Sequence, residues 1–423
     1  EQRPSFLFPR IQSLFPQVRY TREGADKEFR LTAPIPALEA AGDFRGGKLW
    51  RYFEAREVWQ AALQGMERGA GMTRGRLSPA AVRTLYGDEV RMSASRIDKI
   101  KSCHFAYFMQ YGLRAKRRQS AAFDAIQVGN LLHYVLEKVT AEVTAAGGFA
   151  ETKPEELRAL TDRYMDEYLQ EAVGDLQERS ARLRYLLRRL RQSVRMVVDN
   201  VGEELRSSDF VPMRFELQFG GEGAEMPAIS VTRGDTRLQV TGYVDRVDGW
   251  LRGDKLYLRV VDYKTGKKSF DLADIVHGLG LQMLLYLFTL EKEGRPLFGH
   301  DVVGAGVLYL PARDELLSGK RGMSDAELKS AMEKTLRRSG LLLGDREVLE
   351  AMEHGATESP RFLPLAVNKD GDITKGVATA AQLGSLSRYV DRVLEEIARE
   401  IGEGNIDADP YTRNEQDSAC TYC

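Results

Sequence analysis

The sequence predicts an α/β fold, and three observations carry the prediction. Residues 237–264 alternate apolar and polar in two short runs; amphipathic, helix-periodic segments lie on both sides of them; and an apolar helical stretch, 275–292, leads into a buried-type strand at 302–310. The alternating runs are Arg237–Asp245 and Leu256–Lys264, joined by a turn containing Gly and Asp, so they read as a β-hairpin. Side chains alternate across a strand, so Asp262 and Lys264 share a face while Val261 and Tyr263 take the other. Asp245 closes the first strand in this reading. Two carboxylates and a lysine gathered at adjoining ends of an apolar hairpin are costly unless they bind something.

A divalent cation is the ligand that fits best. Mg²⁺ is a hard ion that takes oxygen donors. Held by Asp245 and Asp262, it would polarise a phosphodiester and lower the pKa of bound water. Lys264 would orient that water or offset charge that develops in the transition state. The bland alternative is a solvated strand end, because Asp-x-Lys triplets are common.

Taken in order, residues 1 to about 90 are mixed, with apolar patches such as Phe6–Phe8 and one amphipathic helix, Leu49–Met66. Gly42–Leu49 mimics a phosphate-binding loop. It has Leu49 where a Ser or Thr would reach Mg²⁺ and no strand leading in, so it reads as a flexible turn rather than an ATP site. Ser93–Asp98 opens a helix, capped by Ser93 or Ser95, that runs through Cys103 to Tyr111; its aromatics at 105, 107, 108 and 111 predict a packed face. Gln127–Thr140 is a helix carrying His133 among Leu131, Leu132 and Leu136, a setting in which a histidine is ordinarily a core residue. Pro154–Leu205 is helical and charged. Within it, Glu178–Arg195 holds arginines at 179, 182, 184, 188, 189, 191 and 195, and reads equally as a solvated face with intrahelical ion pairs or as a phosphate-tracking surface. Phe210–Phe219 is a strand with Glu216 as a possible extra carboxylate. The helix Ile275–Lys292 brings Gln282 and Tyr286 to one face, and Val302–Leu310 follows as a strand. Ser324–Arg338 and Asp345–His354 read as surface helices, Arg361–Val367 as a short strand, and Thr379–Glu403 as a long amphipathic helix. The tail Gly404–Cys423 is polar and is broken by Pro410.

The length of 423 residues allows about two or three domains. With 61 basic and 62 acidic residues there is no global basic field, so any nucleic acid must be met by local patches or through a partner. No apolar run approaches the roughly 18–20 residues that span a membrane, and no signal peptide is visible; a cytoplasmic protein is expected. Three cysteines are too few for a disulfide framework: Cys103 stands alone, and Cys420 and Cys423 form a C-x-x-C. The opening EQRPSFLFPRIQ and the ending on Cys423 read as cut edges, so the chain is expected to be a fragment of a longer polypeptide.

Six segments carry a resemblance. They are SASRIDKIKSCHFAYFMQYGL (93–113), VGNLLHYVLE (128–137), TGYVDRVD (241–248), VVDYKTGKK (260–268), QMLLY (282–286) and GNIDADPYTRNEQDSACTYC (404–423). In this order they resemble the RecB-like group of the PD-(D/E)XK superfamily, and within it the C-terminal nuclease region of the AddB family, deoxyribonuclease subunits of bacterial helicase–nucleases. The resemblance covers about residues 93–423 and implies a restriction-endonuclease-like core, a mixed central sheet flanked by helices. Residues 150–206 would be a helical insertion, 404–423 a cysteine-bearing tail, and 1–92 a remnant of a preceding helicase-like region. The family pattern implies that His133, Asp245, Asp262 and the backbone carbonyl of Tyr263 are metal ligands and that Lys264 is the catalytic lysine. It makes Gln282 and Tyr286 a Q-x-x-x-Y pair beside the site, in contact with DNA, and matches Glu216 less closely to an acidic position on the preceding strand.

The family also binds a [4Fe–4S] cluster in the form C…C-x-x-C-x5-C. Cys103, Cys420 and Cys423 fit the first three positions, and the fourth falls past the last residue, so the cluster is expected in the whole protein. It would clip the tail to the helix of Cys103, closing a loop of roughly 300 residues. The activity implied is that of a Mg²⁺-dependent DNA exonuclease. It would digest single-stranded DNA, the 5′-ended strand, as an AddA-type helicase–nuclease subunit unwinds it in double-strand break repair. Two alternatives are a non-catalytic DNA-binding or subunit-bridging module and a stand-alone RecB-like nuclease of the CRISPR-associated type. The intact D…D-x-K with His133 argues against the first; the helical insertion and the N-terminal remnant argue against the second.

Overall fold

The computed structural model describes residues 7–18, 31–43, 45–70, 75–115, 125–173, 181–266, 269–312, 324–414 and 417–421. The chain divides into two units, 1–74 and 75–423. In the first, helices Pro34–Gly42, Lys48–Glu54 and Glu57–Ala70 bury Leu38, Trp50, Phe53 and Leu63 against one another. The single helix predicted over Leu49–Met66 is two, and the break lets Trp59 turn edge-on against Phe53, 5.5 Å between ring centres.

The second unit is built on a mixed sheet that, among the described residues, has eight strands. Helix α1 (Pro79–Tyr86) leads into β1 (Glu89–Ser93); β2 (Val211–Phe219), β3 (Ile229–Arg233), β4 (Thr236–Arg252), β5 (Lys255–Lys264), β6 (Asp301–Pro311) and β7 (Ser339–Leu343) follow. A separate hairpin, β8 (Ala366–Val367) and β9 (Ile373–Lys375), precedes the last strand of the sheet, β10 (Val377–Ala378). The long β4 serves two neighbourhoods. Its first residues lie between β1, parallel, and β3, antiparallel; its later residues lie between β2 and β5, both antiparallel. Beyond β5 the order is β6 parallel, β7 antiparallel and β10 parallel. Because β1 belongs to this sheet, residues 75–92 pack with the second unit.

The hairpin read from the sequence is present and longer than expected. Arg252 pairs with Lys255 around a two-residue turn in which Gly253 adopts a φ of 64°. The first strand does not end at Asp245 but runs on to Arg252, with Arg246 and Asp248 buried and ion-paired with each other.

Helices α2 (Ala94–Ser102), α3 (Ala125–Ala145), α4 (Pro154–Val173), α5 (Ala181–Arg206), α6 (Gln282–Glu293) and α7 (Ala380–Gly402) flank the sheet. α3 lies on β2 and β4, α6 on β5 and β6, and α7 on β3, β4 and α6, while α4 and α5 pack on α3. The stretch predicted as one helix from Ser93 to Tyr111 breaks at Cys103, whose backbone is extended. The tail explains the break: the Phe105 N–H donates to the Asp407 carbonyl, and the Tyr411 N–H donates to that of Ser102. The helix expected from Ile275 splits into Leu272–Val276 and α6 because Gly278 and Gly280 take φ of 77° and 67°. Helix Arg346–Met352 is not a surface helix, since Val348, Leu349 and Met352 are buried. The strand expected over Arg361–Val367 shrinks to two residues, as the N–H groups of Phe362 and Leu363 donate to the Glu353 carboxylate instead of a ladder. Among the described residues no helix is long and apolar enough to cross a membrane.

Candidate active site

The β4–β5 ladder ends at the pair Arg246–Val261, and one step further Asp245 and Asp262 stand beside each other, only 8% and 4% exposed. Asp245 Oδ2 accepts the Tyr263 N–H at 2.6 Å. His133, on the third turn of α3, reaches both strands: its Nε2 lies 3.0 Å from the Tyr263 carbonyl oxygen and its Nδ1 3.4 Å from Asp245 Oδ1. Lys264 Nζ is 2.5 Å from Asp262 Oδ2. On β2, Glu216 falls opposite Asp245 with a φ of 47°, a rare backbone for a residue other than glycine. One donor atom each of His133, Glu216 and Asp245 lies within 4.8 Å of the other two. His133 and Glu216 line a cleft of about 850 Å³.

The electrostatics fit a cation. Burial, and then the Asp245 charge, push the Glu216 carboxyl up to about 7. Burial and Asp245 likewise push Asp262 up to about 6, against the pull of Lys264. Burial lowers the His133 pKa, but the hydrogen-bonded Asp245 carboxylate outweighs it and holds the imidazole above its ordinary value. The pocket therefore gathers more negative charge than one lysine balances, on oxygen and imidazole donors that suit a hard or borderline divalent ion.

Comparison with known sequences agrees with this geometry. A profile of the PD-(D/E)XK nuclease superfamily matches residues 91–423. The chain belongs to that superfamily. It is also similar over its whole length to proteins named as subunits of an ATP-dependent helicase/deoxyribonuclease: 30% identical to those of Thermoanaerobacter sp. strain X514 and Acetivibrio thermocellus, and 29% to one from Clostridium botulinum strain Loch Maree. The matches cover 38–39% of those relatives, so the chain spans about two fifths of their length.

Behind the superfamily's acidic strand ends lies a layer that sequence reading missed. The Tyr263 hydroxyl meets Arg246 Nη1 at 3.4 Å, and Arg246 is paired with Asp248 at 2.8 Å. Asp248 also takes Arg259 Nε at 2.9 Å, and Glu204 on α5 takes Arg338 at 2.7 Å and Arg259 at 3.4 Å. Arg246 and Asp248 are two apart on one strand, with Arg259 opposite Asp248. That spacing was the available signal.

Gln282 and Tyr286 stand on the first turns of α6. Tyr286 is 1% exposed, with its ring stacked 4.7 Å from Phe219. Its hydroxyl faces the Gln282 side chain and the Tyr243 backbone. It lies over Gly242, where an added Cβ would come within 1.9 Å. Gly242→Ala is expected to cost about 1–3 kcal/mol of stability, read from the urea midpoint, because the ring cannot stay where it is.

Cys103 is buried at the break after α2, Cys420 is exposed, and Cys423 lies outside the described residues. The tail is held beside Cys103 by His104, whose Nδ1 is 2.7 Å from Asp409 and whose Nε2 is 3.0 Å from Glu400. On the arginine-rich helix, Arg195 bonds Asp162 at 2.8 Å and Arg191 bonds both Asp162 and Asp166. These pairs join α5 to α4, where the sequence suggested pairing within one helix; Arg179 lies outside the described residues.

Proposed function

We infer that the chain is the nuclease-bearing part of a helicase–nuclease subunit and hydrolyses phosphodiester bonds of single-stranded DNA with Mg²⁺. The reading rests on one observation: His133, Glu216 and Asp245 each bring a donor atom within 4.8 Å of the others, with the Tyr263 carbonyl against His133 and Asp262 paired to Lys264 beside an open cleft. Those five groups would hold the ion. A divalent cation supplies positive charge against the scissile phosphate and lowers the pKa of water. Lys264 is placed to hold the attacking water and to offset charge that builds on the phosphate oxygens. Water displaces the 3′-oxygen directly, and no side chain need bond to the substrate.

The similarity to the helicase/deoxyribonuclease subunits supports the wider assignment: exonucleolytic digestion of the 5′-ended strand, delivered by an AddA-type partner in double-strand break repair. On the same ground residues 1–92 are read as a remnant of a helicase-like region. Cys103, Cys420 and Cys423 would supply three thiolates to an iron–sulfur clip, with the tail already lying against the turn of Cys103.

The test is a chelation and add-back series. EDTA-treated protein should leave end-labelled single-stranded DNA intact, and millimolar Mg²⁺ should restore digestion. At about 100 times its dissociation constant the ion should also stabilise the fold by about 2.7 kcal/mol. Digestion that persists in EDTA would overturn the assignment.

A further inference from the structure

We propose that Tyr168, from the helical segment 150–206, and Tyr134 of α3 form one wall of the DNA-binding cleft, on which a base of the single strand stacks. The proposal rests on the nuclease reading above and adds the part that grips the substrate.

Tyr134 follows His133 directly on α3, and Tyr168 comes from α4. Both line the same cleft as His133, Glu216 and Lys264. Their rings lie 5.3 Å apart, inclined by 48°, and both side chains are only partly buried. α4 packs on α3 and α5, so Tyr168 is the side chain that carries the insertion into the site.

Charge decides what this wall accepts. Glu137 lines the cleft one turn beyond Tyr134 on α3, and a phosphate placed against it would be repelled. A base is neutral and every base has a π face, so the wall suits a base while the backbone runs past Lys264. The cleft's roughly 850 Å³ is within the range that encloses a small ligand-sized segment of a strand. A duplex keeps its bases stacked on one another and offers no face to the wall, so the pair would also favour single strands.

The experiment measures binding, not cutting. Anisotropy of a labelled oligothymidine is followed with Ca²⁺ in place of Mg²⁺, using the whole 423-residue chain. Tyr168→Ala should bind roughly 5- to 150-fold more weakly, while Tyr168→Phe stays within about twofold of the parent. Tyr168→Leu keeps apolar volume without a π face and should resemble Ala. On an abasic strand of the same length all four proteins should bind alike. Equal affinity of parent and Tyr168→Ala for the oligothymidine, or an equal loss on the abasic strand, would overturn the stacking wall and leave the nuclease reading intact. Parent protein that binds no single strand at all would instead remove the nuclease reading.

Discussion

Asp262→Ala should lower digestion of single-stranded DNA about a thousandfold or more, and Lys264→Ala by about a hundred- to a thousandfold. Asp262 is the most enclosed carboxylate of the site and touches Lys264, so its removal deletes a donor to the ion and leaves the lysine without its anchor. The two losses should not add in the double variant, because both groups serve one step. Stability should move the other way. The Asp262 carboxyl is raised to about 6 by burial and by Asp245, so above that pH the ionised group is disfavoured in the folded state. Asp262→Ala should therefore melt at or above the parent temperature at pH 8, the pattern of a site that trades stability for function. A variant that digested DNA at the parental rate would remove Asp262 from the reaction.

Glu204→Ala should destabilise the second unit by about 3–5 kcal/mol, seen as a fall in urea midpoint at unchanged slope. Glu204 is enclosed with Arg246, Arg259 and Arg338, and with Asp248 it opposes three buried guanidinium groups. Burial pushes its carboxyl up, but Arg338, Arg259 and Arg246 outweigh that and hold it at about 2. Its folded pKa thus lies below the ordinary value of 4.5, so its contribution is complete above that pH and drains away as pH falls toward 2. Removing it leaves the buried Arg338 without a carboxylate partner, while Asp248 alone faces Arg246 and Arg259. The site should register the loss as well, because Arg246 contacts the Tyr263 ring whose backbone meets both Asp245 and His133. If Glu204→Ala unfolded at the parental urea concentration, the network would be decoration.

Much of this was legible from residue order, for reasons that local physics supplies. The hairpin turn, the period-two runs and the apolar α6 are dictated within a dozen residues, and Thr379 with Gln382 forms the capping box that starts α7. His133, by contrast, sits among leucines, and only the family pattern separated it from a core histidine. Glu216 could be noted but not placed, since its approach to Asp245 depends on β2 lying antiparallel to β4. The charged layer of Glu204, Arg246, Asp248, Arg259 and Arg338 was hidden for the opposite reason. Charges in a sequence suggest surface, and here partners from α5, the β4–β5 hairpin and Arg338 are ion-paired with one another inside. The short strands β1, β3 and β7 owe their form to pairing rather than to composition.

The double duty of β4 bears on how the molecule comes together. Glu89–Ser93 pairs with Arg237–Thr241, so that edge closes only after a loop of roughly 150 residues has been gathered in. Such distant pairing is slow compared with helix formation. The groups that face the cleft are drawn from positions 133 to 264, spread over about 130 residues. During synthesis the candidate site is thus incomplete until Lys264 has emerged, with β6, β7, β10 and α7 still to come.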